Sequence, residues 1–261
     1  MRRRVWLVIV VLGLGGLTGS VVRQRLHRTR WVTTYALAQR TIEENASEGR
    51  RAGLRPVQVG GQRGLLRPPS SGHDWFLYWG GNTASYFKEA VDVVAALELP
   101  PEVGVLIVAP PGYDSEGRPS PEIIEAEAVN AREWLRAQQG AQRIVLGSYS
   151  MGCFSVFAAA EAHVVGAVLV GVSEELQFGT PGPFIRLATP EVFARKPEAP
   201  VVSALVIQGD LDWPPEEPEV VAAWLNARRL MVPGATHEDS RLHPTVIHEM
   251  RDFVLAALSS P

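Results

Sequence analysis

Short β-branched apolar runs alternate with longer amphipathic segments through most of this 261-residue chain, and that alternation leaves few architectures open. The strand-like runs fall at 64–67, 75–79, 103–109, 143–147, 165–172, 202–208 and 229–232. Helical periodicity fills the gaps at 83–98, 121–138, 151–163, 215–226 and 244–258. Several strand runs are apolar almost without a break, as in Val103-Gly104-Val105-Leu106-Ile107-Val108. A strand with one wet face would alternate, so a continuous run requires cover on both sides. The expected fold is therefore α/β, a mostly parallel sheet with helices on both faces, and ligands of such sheets bind at the carboxyl ends of the strands. The length allows one substantial core, and no repeats or low-complexity tracts interrupt it.

The beginning of the chain does not share this rhythm. Met1-Arg2-Arg3-Arg4 precedes an uncharged, mostly apolar run of eighteen residues at 5–22, and Arg23, Arg25, Arg28 and Arg30 follow it. Such a run is just long enough to cross a bilayer as a helix, with arginines placed to meet phosphate headgroups. We read 1–30 as a membrane anchor with a signal segment as the alternative, 31–56 as a stalk and linker, and 57–261 as the folded domain. For a cleaved signal peptide, Thr18-Gly19-Ser20 offers small residues but no Ala-x-Ala site. Arginines at both ends nearly cancel the bias that sets topology; the domain is expected on the extracytoplasmic side, or secreted if the segment is cleaved. The first thirty residues hold seven arginines and no acid, so the remainder carries −10 of formal charge against −3 for the whole. An acidic body with a basic end argues against a nucleic-acid partner and for an N-terminus that meets an anionic membrane surface. The single cysteine, Cys153, excludes an intrachain disulfide and reads as a small buried hydrophobe.

The residues that carry chemistry lie after the strand runs. Ser148-Tyr149-Ser150-Met151-Gly152 follows Ile144-Val145-Leu146-Gly147 and opens the helical segment at 151–163. A serine with small residues two positions away on each side, between strand and helix, has the pattern of a nucleophile elbow. A match of this kind to an isolated pentapeptide is also compatible with an ordinary turn and a surface serine, so its partners decide. After the run at 202–208 comes Gly209-Asp210-Leu211-Asp212, where a carboxylate can orient a histidine; Asp212 is the first choice and Asp210 the fallback. After the run at 229–232 comes Pro233-Gly234-Ala235-Thr236-His237, a histidine on a loop at the same end of the sheet. The other histidines, His27, His73, His163, His243 and His248, read as surface or capping residues. The chain order Ser150, Asp212, His237 is the one associated with the α/β-hydrolase fold. A second oxyanion donor is expected from the glycine-rich turn Gly80-Gly81-Asn82-Thr83, as the N–H of Asn82 or Thr83, paired with that of Met151. The segment 173–200 sets Leu176, Phe178, Phe184, Ile185, Leu187 and Phe193 among prolines and glycines, and is expected as a short lid over a substrate pocket.

Taken together, these motifs resemble those of the α/β-hydrolases, close to the membrane-anchored serine hydrolases of the Bem46/ABHD type. That resemblance rests on the N-terminal apolar segment, the Gly80-Gly81-Asn82-Thr83 turn, the stretch from Pro110-Pro111-Gly112-Tyr113-Asp114 to Ser120, the serine elbow, the turn at 209–212 and the turn at 234–237. Gly80 stands where the family has histidine, Pro111 where it has arginine, and Ser148 where the elbow has its first glycine. The resemblance implies an α/β-hydrolase fold and a serine hydrolase acting on carboxylic ester or thioester bonds through an acyl-enzyme. No metal or organic cofactor is implied, and the partner is a small-molecule or lipid-like acyl substrate. A peptidase or amidase of the same fold and an inactive membrane-tethered binding protein are the alternatives.

Overall fold

A computed structural model describes residues 47, 49, 50, 52–81, 86–109, 121–161, 163–172, 203–212 and 216–260. The anchor, most of the stalk, Asn82, Thr83, the 110–120 stretch and the expected lid lie outside the described residues. The described strands are β1 (Arg55–Val59), β2 (Gln62–Arg67), β3 (Asp74–Trp79), β4 (Val103–Val108), β5 (Arg143–Tyr149), β6 (Val164–Val170), β7 (Ala204–Gly209) and β8 (Arg228–Val232). The described helices are α1 (Tyr86–Ala96), α2 (Pro121–Gln139), α3 (Gly152–Ala159), α4 (Glu216–Leu225), α5 (His237–Ser240) and α6 (Pro244–Ser259).

The eight strands make one sheet in the order β1-β2-β4-β3-β5-β6-β7-β8. Pairings β1/β2 and β2/β4 are antiparallel, and every later pairing is parallel. Side-chain alternation divides the core between the two faces. On β3, Phe76 and Tyr78 join the layer covered by α1 and α6, while Trp75, Leu77 and Trp79 join the layer covered by α2, α3 and α4. All six residues of β4 are buried, which is why that run is apolar throughout. The chain leaves β3 for β4 on one side and returns to β5 on the other, so the carboxyl ends of β3 and β5 flank the crevice where α/β sheets bind ligands. The register Trp79↔Ser148 sets the end of β3 directly beside the start of the elbow.

Four local expectations differ from the structure, each for a physical reason. The sheet begins at Arg55, inside the segment assigned to the linker, with a hairpin that turns through Gly60-Gly61 and pairs Val59 with Gln62. Strand β1 has a sequence, Arg-Pro-Val-Gln-Val, that hides it, because an edge strand is largely exposed and tolerates proline. Helix α3 stops at Ala159 rather than 163, since Val164 must already pair with Ile144 and the chain reverses through His163 at φ +72. Helix α1 ends at Ala96, before the left-handed Glu98. His237, expected on a loop, is the first residue of α5, where Thr236 and Asp239 form a capping box.

Candidate active site

Ser150 sits between β5 and α3 with φ +52, a left-handed conformation that is uncommon for a residue with a Cβ and that surrounding structure must hold in place. Two contacts hold it. Its N–H donates to the Val170 carbonyl at 2.9 Å, and α3 begins so close to β3 that a Cβ on Gly152 would lie 2.3 Å from the Trp79 oxygen. Only glycine allows that approach. At the other end of the pentapeptide, Ser148 replaces a glycine without crowding: its buried hydroxyl lies 3.2 Å from the Val168 carbonyl and 3.3 Å from the Cys153 sulfur. Burial pushes the Cys153 thiol up to about 12, so it stays protonated and unreactive at neutral pH.

The strand ends bring three side chains into line. Ser150 Oγ is 2.9 Å from His237 Nε2, and His237 Nδ1 is 2.9 and 3.0 Å from the two Asp212 oxygens. The Asp212 side chain is only 1 % exposed, whereas the imidazole is 25 % exposed and open to a reacting group. Asp210 does not join them. Its Oδ1 accepts the Gly234 N–H at 2.6 Å and thereby ties the turn after β7 to the turn after β8. The remaining described histidines lie elsewhere: His243 caps α6, His248 pairs with Asp252, and His73 and His163 sit in turns. An imidazole between a hydroxyl and a carboxylate can accept the hydroxyl proton while the carboxylate holds its tautomer and offsets the resulting charge.

Among the described residues, the β3 side of the site is made of backbone. Gly81 passes close enough to Ser150 that a Cβ there would be 3.2 Å from the serine Cβ. Gly80 is held by its N–H donating at 2.9 Å to the Tyr86 hydroxyl, which in turn donates to the Val108 carbonyl. Met151 stands at the N-cap of α3, among the N–H groups that a helix cannot satisfy from within. Asn82 and Thr83 follow Gly81 directly in the chain.

Sequence reasoning missed three contributors. Tyr86 looks like a core aromatic at the start of an amphipathic helix. Tyr149 looks like the variable residue of the elbow, yet its hydroxyl donates to the His237 carbonyl at 2.8 Å. Arg241, just after α5, forms an ion pair with Glu89 in the first turn of α1, joining the histidine-bearing turn to the helix that follows the Gly80-Gly81 turn. The spacing from Thr236 to Asp239 was the one readable signal, since a threonine followed three residues later by an acid marks a capped helix start.

Strand order and parallel register are those of the α/β-hydrolase fold. The same fold is found in Est1E from Butyrivibrio proteoclasticus, with a TM-score of 0.60 and 17% identity over 80% of this chain and 100% of that one. Dienelactone hydrolase from Anabaena variabilis aligns with a TM-score of 0.57 and 19% identity over 78% of this chain and 94% of that one. A thermophilic esterase from Thermogutta terrifontis aligns with a TM-score of 0.53 and 18% identity, covering 78% and 98% respectively. No family model and no curated protein matches the chain. Among the described residues no helix is long and apolar enough to cross a membrane.

Proposed function

We propose that this chain is a serine hydrolase that cleaves carboxylic esters or thioesters through an acyl-enzyme on Ser150. The observation that carries this reading is the unbroken line from Asp212 through His237 to Ser150, with contacts of 2.9 Å on both sides of the imidazole. His237 takes the Ser150 proton as the hydroxyl oxygen attacks the substrate carbonyl, and Asp212 keeps Nδ1 protonated and facing it. The tetrahedral oxyanion is stabilised by the N–H of Met151 and that of Asn82 or Thr83, each donor contributing about 3 kcal/mol. His237 then protonates the leaving group. A water molecule repeats the sequence, the acid leaves, and Ser150 regains its proton. The esterase and the dienelactone hydrolase among the similar folds support ester chemistry. The apolar run at 5–22 with its flanking arginines supports a membrane tether and a small or lipid-like acyl substrate, and the acidic remainder suits no nucleic acid.

A fluorophosphonate probe tests the nucleophile: wild type is labelled and Ser150→Ala is not. An unlabelled wild type, or a Ser150→Ala protein that still labels, overturns the proposal. A chain-length series of p-nitrophenyl esters and thioesters then defines the acyl group, and faster turnover of matched amides would reassign the enzyme as an amidase.

A further inference from the structure

Tyr149 touches His237 twice, once at the backbone and once at the ring. Its hydroxyl donates to the His237 carbonyl at 2.8 Å, and its ring centroid lies 5.0 Å from that of the imidazole with the planes inclined by 31°. The two residues are 88 positions apart in the chain, so the contact belongs to the tertiary fold.

Gly171 completes the seat. It follows β6 with φ +62, and a Cβ there would lie 2.9 Å from His237 Cε1, 3.0 Å from Nδ1 and 3.4 Å from Tyr149 Cε2. The imidazole therefore packs against a bare α-carbon and a phenol ring while Asp212 and Ser150 engage its two nitrogens. Tyr149 itself is 5 % exposed. Burial raises its phenol pKa, with Arg241 opposing and Asp212, Glu89 and Glu238 adding to the rise, so the hydroxyl stays a donor at neutral pH.

Resting on the serine-hydrolase reading, we infer that Tyr149 is a positioning residue for the general base, pinning the backbone of His237 with its hydroxyl and supporting the imidazole with its ring. Proton transfer depends on Nε2 staying within hydrogen-bond reach of Ser150 Oγ, and small misplacements slow it steeply. Asp212 fixes the ring about one nitrogen, but it does not fix the turn that carries the ring. The hydroxyl bonds that turn at His237 itself, alongside the Asp210–Gly234 bond, the Thr236 cap and the Arg241–Glu89 ion pair that hold its flanks. The ring also offers its negatively polarised face to the cation that His237 becomes in the transition state.

The test compares wild type, Tyr149→Phe and Tyr149→Leu for kcat and KM on a p-nitrophenyl ester, fluorophosphonate labelling rate and thermal midpoint. Tyr149→Phe, which keeps the ring, is expected to lower kcat and the labelling rate by about fivefold, the loss of one hydrogen bond, with KM within about twofold. Tyr149→Leu is expected to lose about threefold or more beyond that, so that phenylalanine partly rescues leucine. A purely structural tyrosine would shift the thermal midpoint and leave kcat of the folded protein unchanged. If wild type labels and Tyr149→Phe matches it in kcat and labelling rate, the role of Tyr149 is overturned alone. If wild type does not label, both readings fall, because there is then no general base to position.

Discussion

Among the described residues, the site is built from side chains on the β7 and β8 side of Ser150 and from backbone on the β3 side. Asp212 and His237 present chemical groups that only a few residue types possess, and the turns that carry them are held by named polar bonds: Asp210 accepts from Gly234 and joins the two turns, and Thr236 caps α5. Gly80 and Gly81 present only peptide groups, and what holds them is a hydroxyl and main-chain packing from the neighbouring helices. Tyr86 grips Gly80 from the start of α1, and Gly152 of α3 presses against the end of β3. Side-chain chemistry announces itself by residue identity, whereas backbone chemistry is set by the shape that other residues impose on a turn.

This contrast can be broken or sharpened by substitution. The largest effect is expected on the side-chain half: Asp212→Asn should lower kcat/KM by about 10³–10⁴-fold with little change in the folded structure, because the amide favours the wrong imidazole tautomer. Steady-state kinetics checks it. On the backbone half, Tyr86→Phe removes the hydroxyl shared by the Gly80 N–H and the Val108 carbonyl, so denaturant unfolding should show a loss of about 1–3 kcal/mol. The same variant should lower kcat more than KM, since the turn beside Ser150 loosens without losing a substrate contact. The smallest effect belongs to Asp210→Asn, which weakens one exposed charge-assisted bond; about 1 kcal/mol or less of stability and activity within twofold of wild type are expected. Loss of turnover in Asp210→Asn with retention in Asp212→Asn would invert the roles of the two aspartates.

The same division explains how much was legible beforehand. The parallel strands β3 to β7 could be read because cover on both faces forces continuous apolar runs, and the serine and aspartate because each follows such a run; β8 is mostly half-exposed and showed only as Leu230-Met231-Val232 before the histidine turn. Edge strand β1 could not, since exposure removes the pattern that burial imposes: three of its five residues are exposed and one is proline. Helix α5 was passed over because four residues cannot display a helical period, although its cap was visible in Thr236 and Asp239. Tyr86 and Tyr149 were hidden by their rings. Both count as core by any hydrophobic measure, and only the tertiary register shows that each hydroxyl ends on a backbone group of the site.

The close packing at Gly152 has a consequence for tolerance. Where α3 meets β3, main chain rests on main chain, so the gap between the helix start and the strand end is set by atomic radii rather than by rotamers that can relax. A spacer of that kind has one size. The spacing between the Gly80-Gly81 turn and the start of α3 beside Ser150 is thereby insulated from sequence drift in the surrounding core.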